Sequence, residues 1–482
     1  MKITRPVIAG AAAIAIAAGA VPAAAHLSAE PLSEPTVAFE QAGLNRAADA
    51  GFAAALETPP APADPAASEE PAEGEQKDGG KAGAALSPNR PSAAVPGARV
   101  RATAAPAGSP AAGQAPAPAE GASAPADDAG SNDAAQGTVQ SPVKALTAAP
   151  VDYNNRPQSW FNTVQRADHW EALAVPSPAM ERGIPVAVRR ATDAAGNRVQ
   201  DAPTVYLLNG AGGSEQNTDW IAQAYNHVEQ TFRGQGVNVV IPMEGAFSYY
   251  VDWVSEPEVN TYYKGKQLWS TFLGDELPQA IEPHLGANDK RAVVGFSMSA
   301  TSALLLAEHK PGTFDAVGAF SGCPATSTPL PWFATQLTLN RGGATPEQVW
   351  GPMGSELNRH NDALVNSEKL RGTALYVSNA SGLAGETDLL GYHLNEDGTN
   401  FPVASAAAAT LQVEGGVIEG VTNSCTHDLT AKLDSQGIEA NFNFRNTGTH
   451  SWPYWLEDLS QSWVQTIGPA LTGRSAAELG PK

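Results

Sequence analysis

From about Trp160 onward, short β-branched runs alternate with longer amphipathic stretches, and that alternation leaves few folds open. Extended runs are expected over residues 185–188, 204–208, 237–242, 291–296, 316–320, 373–377 and 439–444. Between them the spacing of apolar side chains predicts helices over 219–232, 267–283, 298–310 and 405–433, the last expected to be broken. A strand–helix–strand unit returns each strand parallel to the one before it and lays its helix on a sheet face. The expected fold class is therefore α/β, with a mainly parallel central sheet covered by helices on both faces. Sheets of this kind bind ligands outside the carboxyl ends of their strands, so chemistry is sought at those ends.

Only part of the 482 residues can build a core. All ten Trp lie between Trp160 and Trp463, whereas residues 26–150 are mostly Ala, Pro, Gly, Ser and acidic side chains. Such a stretch has too little large apolar surface to offset the entropy of ordering the chain. It is expected to be a disordered Ala/Pro-rich linker ahead of a folded domain at 151–475. Residues 1–25 set Lys2 and Arg5 before an Ala/Ile/Val run that ends in Ala23-Ala24-Ala25, the pattern of a secretory signal peptide. An uncleaved anchor over 6–25 is the alternative reading, and no later run reads as able to cross a bilayer. The formal charge of −21 argues against nucleic acid as a partner, which would need clustered Lys and Arg. Cys323 and Cys425, in a chain expected to leave the cytoplasm, favour one disulfide over a metal site, which would want four clustered ligands. Closing a loop of about 100 residues, the bridge would stabilise by roughly 4 to 5 kcal/mol in the chain-entropy model.

The segment Arg291-Ala-Val-Val-Gly-Phe-Ser-Met-Ser-Ala300 runs from an apolar strand into a helix of small residues and leucines. Ser297, between Gly295 and the small Ser299, fits a strained strand–turn–helix elbow that carries a nucleophile. A serine hydroxyl is a poor nucleophile at neutral pH and needs a base, for which histidine is the obvious choice. Of His360, His393, His427 and His450, only His450 follows the last expected strand, in a loop able to reach the elbow. For the acid behind the histidine, Glu386, Asp388 and Glu419 all remain open on residue pattern alone. An oxyanion requires two backbone N–H donors. Met298 supplies one, and the glycine-rich turn Asn209-Gly-Ala-Gly-Gly213, directly after Tyr206-Leu-Leu208, suits the other.

Together with the elbow and the turn, a series of motifs in order resembles the mycolyltransferases of the antigen 85 family over about residues 160–470. The series is Val175-Pro-Ser-Pro-Ala-Met180, Tyr206-Leu-Leu-Asn-Gly210, Ile241-Pro242, Asp252-Trp253, Trp269-Ser-Thr-Phe-Leu273, Glu276-Leu-Pro278, Gly295-Phe-Ser-Met-Ser299, Phe320-Ser-Gly322, Trp350-Gly-Pro352, Asn361-Asp362 and Gly448-Thr-His-Ser-Trp-Pro-Tyr-Trp455. The resemblance implies an α/β-hydrolase fold with Ser297 as nucleophile and His450 as base. It selects Glu419, in Val417-Ile-Glu-Gly-Val421, as the acid and puts the N–H groups of Ala211 and Met298 in the oxyanion hole. It also implies Asn209, Asp252, Trp253 and Trp452 as substrate contacts. The implied substrates are trehalose mycolates and cell-wall arabinan, near the outer lipid layer of an envelope, with no metal and no cofactor. Where one branch of the family has Asp and then Arg at the sugar, this chain has Asn209 and Gly212. That difference and the cysteine pair resemble the corynebacterial-type branch, whose donors are trehalose monocorynomycolates. A carboxylesterase using water as acceptor, and a non-catalytic envelope adhesin, are the competing readings.

Overall fold

The computed structural model describes residues 143–395 and 400–480, so the expected signal peptide and nearly all of the expected linker lie outside the described residues. Nine strands form one sheet: β1 (Lys144–Ala145), β2 (Trp170–Ser177), β3 (Arg182–Arg189), β4 (Ala202–Leu207), β5 (Asn238–Pro242), β6 (Ala287–Phe296), β7 (Ala316–Phe320), β8 (Ala374–Asn379) and β9 (Asn441–Phe444). Their spatial order is β1-β2-β3-β5-β4-β6-β7-β8-β9. The pairs from β5 through β9 are parallel, and β1, β2 and β3 extend one edge antiparallel. This is the α/β-hydrolase arrangement. The inner strands β4, β5 and β7 are buried at every residue, as parallel strands covered on both faces must be. Because side chains alternate between faces, Tyr206 and Val293 join one core cluster while Val205, Leu207 and Val294 join the other.

The main helices are α1 (Ser159–Arg166), α2 (Tyr225–Phe232), α3 (Leu277–Leu285), α4 (Met298–His309), α5 (Pro329–Gly342), α6 (Phe401–Thr410), α7 (Gly416–Gln436) and α8 (Trp452–Ser462). Helix α4 is buried from Met298 through Glu308, which explains its small and aliphatic residues.

Several expectations need correction. The helix expected from residue 219 starts at Tyr225, because the Asp219 carboxylate accepts the N–H groups of Ile221 and Ala222 and holds a turn there. The helix expected to break at 405–433 runs on from Phe401 to Gln436, with a π-helical turn at Leu411–Gly415 absorbing the glycines. That stretch is long and apolar enough to cross a membrane by length and composition, contrary to expectation, but α7 packs Cys425, Leu429 and Leu433 into the domain. The domain also exceeds the expected 151–475. At one end β1 pairs with β2, and at the other a short helix, Ala476–Leu479, buries Leu479 in the core.

Candidate active site

The strand β6 delivers the chain into the elbow with Ser297 at φ 55° and ψ −124°, a left-handed conformation that costs a non-glycine residue energy and is characteristic of functional positions. Neighbouring strands hold it there: the Ser297 N–H donates to the Phe320 carbonyl at the end of β7, 2.8 Å away. Gly295 must be glycine, since a Cβ there would lie 2.1 Å from the Ser299 carbonyl oxygen. Ser299 contributes more than small size. Its hydroxyl accepts from the Phe296 N–H at 3.1 Å and lies 3.2 Å from the Leu208 carbonyl, tying the elbow to the end of β4.

The structure brings His450 and Glu419 to this serine. His450 Nε2 is 2.7 Å from Ser297 Oγ, and His450 Nδ1 is 2.8 Å from Glu419 Oε2. An ionised carboxylate only accepts, so Nδ1 carries the proton and Nε2 is left to receive one from the serine. Glu419 is fully buried on α7. Its other oxygen accepts from Ser321 Oγ (2.8 Å), Asn379 Nδ2 (3.0 Å) and the Ala380 N–H (2.7 Å), so all its partners are spoken for. The helix reaches this position through close backbone contact. Gly382, at φ +83°, would place a Cβ 2.4 Å from the Gly416 carbonyl oxygen. Gly415, in the π turn, accepts the His450 N–H at 3.2 Å. Cys323 and Cys425 form a disulfide between the segment after β7 and α7, fewer than two turns beyond Glu419.

In front of the elbow, the glycine turn after β4 is anchored on three sides. Asn209 Nδ2 donates to the Pro242 carbonyl and its Oδ1 accepts the Trp220 N–H, while the Ala211 carbonyl accepts from the Phe247 N–H. The segment from Gly245 is held by Glu215, whose Oε1 accepts the Gly245 and Ala246 N–H groups. Burial first, and the nearby Glu244 carboxylate second, push the Glu215 carboxyl up to about 7 despite Lys264. Among the described residues the Ala211 and Met298 N–H groups enter no hydrogen bond, leaving both as donors at the turn and at the start of α4.

The other residues expected at the site fall elsewhere. Asn209 is fully buried with its amide committed to backbone, so it shapes the turn instead of meeting a sugar. Asp252 binds the N–H and hydroxyl of Thr271, and Trp253 is buried with its indole N–H on the Ser248 carbonyl. Trp452 is half-buried and packs with Phe296, Trp220 and Trp455, the last lying edge-on to His450. Of the other acids considered, Glu386 is exposed and Asp388 is buried beneath the histidine loop. His427 is exposed and stacks on Phe444. Sequence reasoning missed Ser321, a left-handed residue (φ 52°) that donates to Glu419; its signal was the Phe320-Ser-Gly322 motif.

The Esterase family model matches residues 177–465. The diacylglycerol acyltransferase/mycolyltransferase Ag85B of Mycobacterium leprae is 32% identical over 294 residues, covering 60% of this chain and 81% of that protein. Ag85A of the same organism is 29% identical over 293 residues, covering 60% of this chain and 80% of that one. Among solved structures, Mycobacterium tuberculosis MPT51 aligns with 63% of this chain and 100% of its own at 24% identity and a TM-score of 0.48.

Proposed function

The chain belongs to the Esterase family and to the antigen 85 mycolyltransferases, and from that membership we propose that it is an exported serine acyltransferase moving a mycoloyl chain between sugars. The observation that carries the reading is the unbroken path from Ser297 Oγ through His450 to Glu419. His450 Nε2 takes the serine proton as Oγ attacks the ester carbonyl of a trehalose monomycolate. The Ala211 and Met298 N–H groups meet the oxyanion, and Glu419 balances the imidazolium. The imidazolium then protonates the departing trehalose oxygen, leaving the acyl-enzyme. A hydroxyl of a second trehalose monomycolate, or of cell-wall arabinogalactan, gives its proton to His450 and takes the acyl chain. Groups of the chain itself carry every step.

A long acyl chain suits the flank of this site better than a small ester. Leu383, Leu389, Phe401, Val413, Val417 and Ile418 are all exposed on or near the helix that bears Glu419. Within residues 400–421 the only charged side chains are Glu414 and the buried Glu419. The corynomycoloyl donors of the corynebacterial-type branch, export through the 1–25 signal and a position near the outer lipid layer of the envelope belong to the same reading.

The test is to incubate the purified protein with trehalose monomycolate, with and without added trehalose. Trehalose dimycolate, and an acyl mass adduct that the Ser297→Ala variant lacks, are expected. Free mycolic acid as the sole product would make the protein a carboxylesterase. Neither adduct nor product from the wild-type chain would overturn both readings and favour the adhesin.

A further inference from the structure

We infer that Asp388 is the positioning residue of the proton relay, fixing the loop that carries His450 against the helical turn that leads to Glu419. The inference rests on the acyl-transfer reading of Ser297 and His450. Asp388 follows β8, where this fold leads one to expect the acid, yet its side chain touches neither His450 nor Ser297. It is fully buried and receives four donors. Oδ1 accepts from Thr449 Oγ1 (2.7 Å) and Ser451 Oγ (3.3 Å), the two residues on either side of His450. Oδ2 accepts from the Gly385 N–H (2.8 Å) and from Tyr454 OH (2.7 Å) in the first turn of α8. Its backbone carbonyl accepts from Gln412 Nε2 at 3.0 Å. Gln412 lies in the same π turn whose Gly415 carbonyl accepts the His450 N–H. One residue therefore joins both flanks of the histidine to the approach of the acid helix. Burial, and then the Asp388 carboxylate, hold the Tyr454 phenol up, so it stays a donor.

The carboxylate form matters because all four partners donate. In Asp388→Asn the amide oxygen must stay with Gly385, whose N–H cannot reverse, so the amide NH2 faces Thr449 and Ser451. Their hydroxyls would have to turn round, and the clamp loosens at His450. Relay bonds of 2.7 and 2.8 Å tolerate little displacement, and a shift of about 1 Å costs on the order of 100-fold in rate.

The experiment compares wild type, Asp388→Asn, Thr449→Val, Thr449→Ser and Ser297→Ala on p-nitrophenyl butyrate at 25 °C. Folding is checked by circular dichroism, and the downfield proton of the His450–Glu419 bond is followed by NMR. Asp388→Asn is expected to lower kcat about 10- to 100-fold, with KM within about twofold and the downfield proton broadened. Thr449→Val should show a smaller loss that Thr449→Ser restores. If Asp388→Asn does not fold, the Thr449 pair decides. Wild-type kcat and an unchanged downfield proton in Asp388→Asn or Thr449→Val, even with a lowered Tm, would reduce Asp388 to a structural group and overturn the inference. Activity surviving in Ser297→Ala would instead strike the acyl-transfer reading itself.

Discussion

At the scale of single residues, the site depends on which oxygen of Glu419 faces which donor. Oε1 is surrounded by Ser321, Asn379 and the Ala380 N–H, and Oε2 alone meets His450 Nδ1. In Glu419→Gln the amide oxygen will stay with the three donors, turning NH2 toward the imidazole. His450 must then accept at Nδ1 and carry its proton on Nε2, the tautomer that cannot take a proton from Ser297. A loss of kcat on the order of 10⁴-fold is expected, with an unchanged circular dichroism spectrum and little change in KM. A loss below about tenfold would show that the acid is not needed to set the tautomer. Ser297 was legible in the sequence because an elbow leaves a local signature of strand, small residues and helix. The acid left no such signature: it sits on a helix well after β8 in the sequence, although its carboxylate meets Asn379 and Ala380 at the end of that strand. Residue pattern alone kept Glu386, Asp388 and Glu419 level, and the family motif separated them. The implied contacts Asn209, Asp252 and Trp253 were motif positions whose side chains bond within the protein.

At the scale of elements, five of the seven expected strands, β4 to β8, were legible because inner parallel strands are continuous apolar runs. β1 and β2 escaped notice because β1, at the sheet edge, has two residues, and β2, one place in, contains Pro176. Loops fixed by side chains were equally silent in the sequence, and the oxyanion turn is the clearest case. Glu215 holds the Gly245–Ala246 backbone, from which Phe247 reaches the Ala211 carbonyl. Its folded-state carboxyl titrates at about 7 against an ordinary value of 4.5. The folded state therefore retains a proton that the unfolded chain has released, and stability contributed below pH 4.5 is lost as pH rises toward 7. A Glu215→Gln variant keeps an oxygen for the two N–H groups and has no proton to lose. Urea denaturation of wild type from pH 4.5 to 8 should show a decline on the order of 3 kcal/mol attributable to this group, flattened in the variant. Parallel pH curves for the two proteins would refute the assignment.

At the scale of the whole molecule, the catalytic domain begins earlier than its composition suggests, in a segment that looks like more linker. Lys144 and Ala145 pair with Ala174 and Leu173, the Leu146 N–H donates to the Ala172 carbonyl, and Val143 and Leu146 pack against opposite core clusters. These residues cover the outer edge of β2 over Ala172–Ala174, which would otherwise present unpaired N–H and carbonyl groups to any passing strand. Residues 26–142 carry no tryptophan and few large apolar side chains, so their removal should cost the domain nothing. Two truncated chains separate these contributions. A chain starting at Val143 is expected to match the full-length protein in urea midpoint and in kcat. A chain starting at Asp152 loses β1 with Val143 and Leu146, and should be less stable by about 2 to 3 kcal/mol. The second chain should also self-associate at its exposed β2 edge, readable by size-exclusion chromatography, while retaining kcat because Ser297, His450 and Glu419 lie beyond the cut. A midpoint shared by both truncations would remove β1 from the domain. A loss of stability on cutting at Val143 would instead give residues 26–142 a folding role that their composition does not support.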